Sequence, residues 1–328
     1  MKKSVYILCA LTACIMCFSF LFGVKKIPEK KQGVLIPKQE GIITLWHVDT
    51  FEGGTGSRRR FLFNVAAGFE KRYKNVLIMV SNYTPDGITE ALKSGLKPDM
   101  ISYGVGVDVN NLQTISTDDN LKYSAVGKTK YGACWCRGCY VLMVKEGYDN
   151  TEVLPEIIVS QGKYTQPLTA FALSGYTAEK IKTVNPSDAF SEFINGKTPY
   201  FVGTQRDVVR LSYKNVAVRV YPLLGYNDLY QYVSVVTEND GKRYYCNKYI
   251  EYLLSDAVQK KLVSLNMFSQ ISRADYTDGI MTEMQNAVFE KGISAYTFAG
   301  NVYEMQTQAL LAAAGDKTAL AKLQNSTF

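Results

Sequence analysis

The 328 residues carry a formal charge of +7, with 47% apolar and 20% charged side chains, the composition of a folded globular protein rather than a disordered one. Seven Lys and two Glu fall within residues 1–41, so five of the net charges lie in the leader and only two in the body. That balance argues against the concentrated basic patch of a nucleic-acid protein, and the length suits two lobes with separate cores.

Met1-Lys2-Lys3 precedes an apolar run from Val5 to Val24, about the 20 residues that a membrane-spanning helix needs. The run ends in Phe20-Leu21-Phe22-Gly23 without a small-x-small cleavage site, which predicts an uncleaved anchor over residues 5–24. Leu11-Thr12-Ala13-Cys14 also resembles a bacterial lipobox, which would make Cys14 the lipidated first residue, although the residues after it remain apolar. Either arrangement puts the body at the outer face of a bacterial cytoplasmic membrane, on a polar tether over residues 25–41.

The body opens with a β-branched strand over Ile42–Trp46, a Gly53-Gly54 turn and a helix beginning Ser57-Arg58-Arg59-Arg60, whose Phe61, Val65 and Phe69 form one buried stripe. Val76–Val80 is uninterrupted and apolar, as in a parallel strand covered on both faces. A short helix over Ile88–Ser94 ends at Gly95, and Pro98-Asp99 starts a third strand that runs to Gly104. This βαβαβ alternation predicts an α/β fold with a right-handed, doubly wound sheet.

A single strand is expected over Trp135–Leu142. Ser187 is expected to cap a helix carrying Phe190, Phe193 and Ile194 and closed by Gly196. Tyr200–Gly203 and Val216–Tyr221 read as strands, with Thr204 capping a helix between them, and Leu229–Val236 as a long connecting strand. Arg243–Leu254 and Ala257–Leu265 are amphipathic helices separated by a Ser255-Asp256 cap, and Val302–Leu323 is helical with a break at Gly315.

In open α/β sheets ligands bind beyond the carboxyl ends of strands. Trp46, His47 and Asp49, then Tyr103, then Gln205, Arg206 and Asp207 stand at or just past such ends. Trp46 offers a face for a sugar ring, or a core residue. His47 is the only histidine, which leaves a histidine triad or a multi-histidine metal site without partners. Arg206 and Asp207 occupy a helix N-terminus, where backbone N–H groups receive polar ligands; ordinary capping is the competing use. The 23 tyrosines pair an apolar face with a hydroxyl, which suits sugars. Cys134, Cys136, Cys139 and Cys246 admit a thiolate metal site, a disulfide or free buried thiols. Their spacing departs from the usual paired zinc hairpins.

Several segments in order, ITLWH with GG, FEKRYKNVLIMV, LKSGLKPDMISYG, WCRGCYVLMV, FINGKTPYFVGTQRD and YLLSDAVQKKLVSLNMFS, resemble the bacterial extracellular solute-binding proteins of ABC importers, in particular the carbohydrate-binding group. The resemblance covers nearly all of residues 42–323. It implies a two-lobed periplasmic-binding-protein-like fold of type II, each lobe a sheet flanked by helices, with a cleft between lobes joined by a multi-crossing hinge. By that pattern residues 42–136 and 237–296 form the first lobe, and 137–236 and 297–328 the second. Tyr103 becomes a cleft wall, Trp135 and Arg137 stand where the chain passes between lobes, and Tyr226 and Asp228 resemble a cleft loop. The cysteine cluster departs from the pattern and weakens the transfer around it.

The resemblance implies capture of a mono- or oligosaccharide by hinge closure and delivery to an ABC permease, with no catalysis and no cofactor. The absence of a phosphate-binding glycine fingerprint or Walker motif agrees, since ATP hydrolysis would belong to partners. Two other readings stay open at this point. One is a sensor of the same fold coupled to a membrane receptor. The other is an extracytoplasmic enzyme using Asp99 and Asp207 as paired carboxylates on a sugar.

Overall fold

In a computed structural model of the chain, the residues described are 41–51, 56–107, 109, 112–113, 131–196, 198–291 and 302–327. The anchor, the tether and Cys14 lie outside them. Among the described residues, no helix is long and apolar enough to cross a membrane.

The strands are β1 (Gly41–Val48), β2 (Val76–Tyr83), β3 (Met100–Gly104), β4 (Ala133–Arg137), β5 (Tyr140–Lys145), β6 (Val153–Ser160), β7 (Thr177–Val184), β8 (Tyr200–Thr204), β9 (Val218–Pro222) and β10 (Tyr230–Val235). They form two five-stranded sheets of matching design, β2-β1-β3-β10-β4 and β7-β6-β8-β5-β9. In each, three strands run parallel and the fourth, β10 or β5, is antiparallel to both its neighbours. The helices between them are α1 (Arg58–Glu70), α2 (Pro85–Lys93), α3 (Pro167–Leu173), α4 (Pro186–Ile194) and α5 (Gln205–Tyr213). After β10 come α6 (Asp240–Leu253), α7 (Asp256–Gln259) with a 3₁₀ turn (Lys260–Leu265), α8 (Gly279–Lys291), α9 (Val302–Ala313) and α10 (Lys317–Thr327).

Local chemistry accounts for the elements. The stripe on α1 buries Phe61, Leu62, Val65 and Phe69, and Ser57 caps it by accepting from Arg60 N–H. Gly95, Gly196 and Gly315 adopt φ of +83°, +76° and +99°, the left-handed turn-offs their positions require. The cap of α4 is Asn185 rather than Ser187: its side chain accepts from Ser187 and Asp188 N–H, and Pro186 fills the first helical position, where no N–H is needed.

Three differences from the sequence reading concern how the lobes are joined. The strand expected over Trp135–Leu142 is two strands, β4 in one sheet and β5 in the other, divided at Gly138-Cys139. A Cβ on Gly138 would lie 3.0 Å from Gln205 Oε1 and 3.1 Å from Leu229 Cβ, so a larger residue at the crossing would push on both neighbours. Tyr230–Val235 was expected in the second lobe, yet it is an interior strand of the first sheet. All six of its residues are buried, as a strand covered on both faces demands. Helix α8, placed in the first lobe by the sequence reading, packs against β9, with Met281, Met284 and Val288 in the core built on β5 and β8. The chain therefore passes between sheets at Gly138-Cys139, between Pro222 and Tyr230, and between Leu265 and Gly279.

The four cysteines of the body are free and buried. Burial pushes the Cys134 and Cys139 thiols up to about 12 and holds Cys136 and Cys246 as thiols as well.

Candidate functional site

A cleft of about 580 Å³ opens where the carboxyl ends of β1, β6 and β8 face each other, within the roughly 300–1,000 Å³ typical of small-ligand sites. The first sheet contributes Asp49, Thr50 and Phe51 after β1, Ser57 and Arg58 at the start of α1, and Pro85 at the start of α2. The second contributes Ser160 and the Gly162–Thr165 loop after β6, Pro186 opening α4, and Thr204, Arg206 and Asp207 where β8 becomes α5. Strand ends and helix first turns meet here because every βα unit delivers both to the same edge.

Asp49 stands at the rim, its side chain 46% exposed, and is held from behind. Its Oδ1 accepts from His47 Nε2 at 3.0 Å and from Arg58 Nε at 2.9 Å. Burial alone would raise this carboxyl, but the His47 hydrogen bond and the Arg58 charge hold it at about 2. Behind it His47 is fully buried, with Nδ1 3.2 Å from Ser102 Oγ. That hydroxyl already accepts from Trp135 Nε1 at 3.0 Å and from Gln231 Nε2 at 3.2 Å. With both lone pairs taken, Ser102 donates to His47 Nδ1, which fixes the ring proton on Nε2 facing Asp49. Burial lowers the His47 pKa against the opposing pull of Asp49, so the ring stays neutral.

A Ser–His–Asp sequence of contacts thus exists, but in the reverse sense of a hydrolase. Ser102 is sealed in the sheet, and the carboxylate is the member that meets solvent. Nor are Asp99 and Asp207 brought together. Asp99 enters β3 at its opposite end, where it binds Thr44 and Lys242, and it does not line the cleft. Asp207 closes a capping box with Thr204, and burial pushes its carboxyl up.

The crossings between sheets have their own polar fastening. Tyr140 donates to Asp228 Oδ1 at 2.5 Å and accepts from Gln166 N–H at 2.9 Å. Burial pushes the Asp228 carboxyl up to about 7 despite that bond and the longer one from Tyr226 at 3.5 Å. Gln205 Oε1 accepts from Cys139 N–H at 2.8 Å, and Arg137 pairs its backbone with Phe268. One salt bridge reaches across the mouth of the cleft, Lys163 Nζ to Asp86 Oδ1 at 3.0 Å, between two exposed side chains.

Of the residues singled out from sequence, Asp49, Arg206 and Asp207 line the cleft. The others do not. Trp46 packs against Tyr83 with centroids 4.5 Å apart and planes tilted by 37°, Tyr103 bonds Ser234 Oγ at 3.1 Å, and Trp135 lies parallel to Phe61. His47 backs the rim, while Arg137, Gln205, Tyr226 and Asp228 are buried at the crossings. The sequence reading missed Thr50, Phe51, Arg58 and the Ser160–Thr165 loop as lining. The loop follows β6, a strand whose signal, Ile157-Ile158-Val159 running into Gln161-Gly162, was weakened by Pro155. That proline is tolerated because β8 pairs with β6 only at Ile158 and Val159.

No protein-family model and no curated protein matches the sequence. Solved structures match its fold. The sugar-binding protein MalE of Xanthomonas citri superposes with a TM-score of 0.62 at 15% identity, over 88% of this chain and 96% of that one. The GacH receptor of Streptomyces glaucescens, known unliganded and with acarbose, gives 0.59 at 13% identity over 88% and 97%. The maltose/maltodextrin-binding domain MalE of Bdellovibrio bacteriovorus, bound to maltotriose, gives 0.55 at 12% over 88% and 98%. The likeness spans almost the whole of each relative, and the fold is the two-lobed α/β periplasmic-binding-protein fold.

Proposed function

We propose that the protein is the solute-binding component of an ABC importer. It would take up a small solute, a mono- or oligosaccharide, between its lobes and deliver it to a membrane permease. The observation that carries this reading is the cleft itself, set at the carboxyl edges of two sheets joined by three crossings. Its hydroxyls (Thr50, Ser57, Ser160, Tyr164, Thr165, Thr204) match a polyhydroxylated solute, and the similar structures named above include proteins bound to or named for sugars. Asp49, Arg206 and Asp207 are the residues from the sequence reading best placed to touch the solute. His47, Trp135 and Tyr103 support that wall from behind.

Closure is a rotation of one lobe about the crossings, where few peptides must change while each sheet stays rigid. The exposed Lys163–Asp86 pair links the two lobes at the mouth of the cleft. No step makes or breaks a covalent bond. The body stands at the outer face of the cytoplasmic membrane, tethered by residues 5–24 or by lipid on Cys14; the apolar run and the following polar tether support this placement. Thermal-shift titration of the full chain in detergent, against mono- and oligosaccharides, polyols and amino acids, tests the reading. A sugar should raise the melting temperature in proportion to the logarithm of its concentration above Kd. A shift with an amino acid or peptide and with no sugar removes the carbohydrate assignment.

A further inference from the structure

One helix faces the cleft with the wrong charge for its dipole: α1 opens with Arg58, Arg59 and Arg60 and has no acidic residue in its first turn. Helix α5 opens with Gln205-Arg206, and Asp207 in the same turn is used in the capping box. Positive side chains at a helix N-terminus add to the partial positive charge already there, an arrangement that favours a negative guest. Lys163 also stands in the lining, where its charge is paired with Asp86.

The two carboxylates of the lining are already engaged. Asp49 accepts from His47 and Arg58, and Asp207 from Thr204 and, at 3.3 Å, from Arg210. Both bonds to Asp49 are made at Oδ1 and its side chain is 46% exposed, so an anionic edge stays at the rim, while unpaired donors lie deeper in the lining. Arg58 is 6% exposed, and although Nε and Nη2 are bonded, to Asp49 and to the Phe51 carbonyl, its Nη1 has no partner. Thr50, 8% exposed, has an unpartnered Oγ1. Both residues line the cleft. Buried polar atoms are rarely left unpaired in a folded protein, and of the seven such atoms among the described residues these two belong to the lining of the cleft. The apolar side offers little for a neutral sugar ring: Phe51, one of two aromatic rings in the lining, already carries the Arg58 guanidinium 4.2 Å from its centre.

We infer that the solute carries an oxyanion, a carboxylate or a phosphate on a sugar, received by Arg58, Thr50 and Arg206 between the first turns of α1 and α5. The planar guanidinium fork binds either oxyanion through paired N–H donors. This inference rests on the solute-capture reading and narrows its substrate class.

Matched ligands test it. The full chain in detergent is titrated calorimetrically with glucose, glucuronate and glucose 6-phosphate, with the galactose series, and with citrate, inorganic phosphate and alanine as non-sugar probes. An acidic member should bind at least about tenfold more tightly than its neutral parent, the worth of one charge-assisted hydrogen bond. That advantage should shrink between 20 and 500 mM NaCl as the charges are screened. Which acidic member wins separates a carboxylate from a phosphate ligand. Arg206→Gln should abolish most of the advantage, and so should Arg58→Gln. Because Arg58 is buried and its variant risks misfolding, the half-buried Arg206 and the salt dependence of the unaltered chain carry the test alone if needed. Neutral sugars binding as tightly as acidic ones overturn the oxyanion inference and leave solute capture standing. Citrate or phosphate binding without any sugar keeps the oxyanion and removes the sugar. Alanine alone overturns the sugar-borne oxyanion and leaves solute capture standing, whereas no binding by any probe overturns both.

Discussion

Replacing Asp228 by Asn reports on the fastening between the lobes through its pH dependence. The carboxyl is 3% exposed and accepts from Tyr140 at 2.5 Å, and burial pushes it up to about 7 from an ordinary 3.8. Between those values the folded chain keeps a proton that the unfolded chain has released. Stability from this group is therefore fully present below about pH 4 and is lost as pH rises through about 7. From pH 5 to pH 7 the loss covers two pH units at about 1.4 kcal/mol each, about 3 kcal/mol in all. Asp228→Asn stays neutral throughout and still offers Tyr140 an acceptor, so it lacks this dependence. Urea unfolding of both chains at pH 5, 6, 7 and 8 should show the variant gaining about 3 kcal/mol on the parent between pH 5 and 8, with little further gain above pH 8. The comparison cancels His47, which titrates alike in both chains. A difference that is flat with pH, or that favours the parent as pH rises, would refute the assignment of a buried, protonated Asp228.

The remaining predictions use the same unfolding assay. Against His47→Asn, the parent should lose stability as pH falls below about 6.5, because the unfolded imidazole takes a proton that the buried ring refuses; an NMR signal for the Nε2–H tautomer persisting at pH 6 is the direct check. Ser102→Ala strands the Trp135 and Gln231 N–H groups and should cost roughly 1–3 kcal/mol, with a loss under about 0.5 kcal/mol counting against the network. Gly138→Ala should cost about 1–3 kcal/mol by overpacking. Because the Gln205 amide is among the groups in the way, the cost should fall in a Gln205→Ala background.

The first βαβαβ unit was legible because its signals are local. The Phe61–Val65–Phe69 stripe, the Val76–Val80 run and the left-handed Gly95 each announce themselves within a few residues. The partition into lobes was less so. Nothing in Tyr230–Val235 says which sheet it enters; its neighbours are Met100–Gly104 and Ala133–Arg137, far away in sequence. The linking strand over Trp135–Leu142 was read as one element because Gly138 breaks it through a close approach to Gln205 and Leu229, a tertiary reason with no local mark.

The site was half legible for a related reason. Expecting ligand contacts at strand ends is sound, but it matters which residue counts as the end. Trp46, His47 and Tyr103 still have sheet neighbours, Ser81, Asn82 and Tyr232, so their rings are packed by the adjacent strands. In the first sheet the side chains that reach the cleft come after the chain leaves β1, at Asp49–Phe51, or where the next helices begin, at Ser57-Arg58 and Pro85; in the second sheet the last strand residues, Ser160 and Thr204, reach it as well. The division has an energetic meaning. The buried set (His47, Ser102, Trp135, Gln231) ties three strands together with β1 and fixes Asp49 from behind, so a change there should alter stability and affinity together. Arg206 and Lys163 sit on the outer layer and are only partly covered by protein, so Arg206→Gln or Lys163→Ala should move affinity while leaving the unfolding midpoint nearly unchanged. A cleft built this way can change the solute it accepts through its loops and first helical turns without disturbing the sheets that aim them.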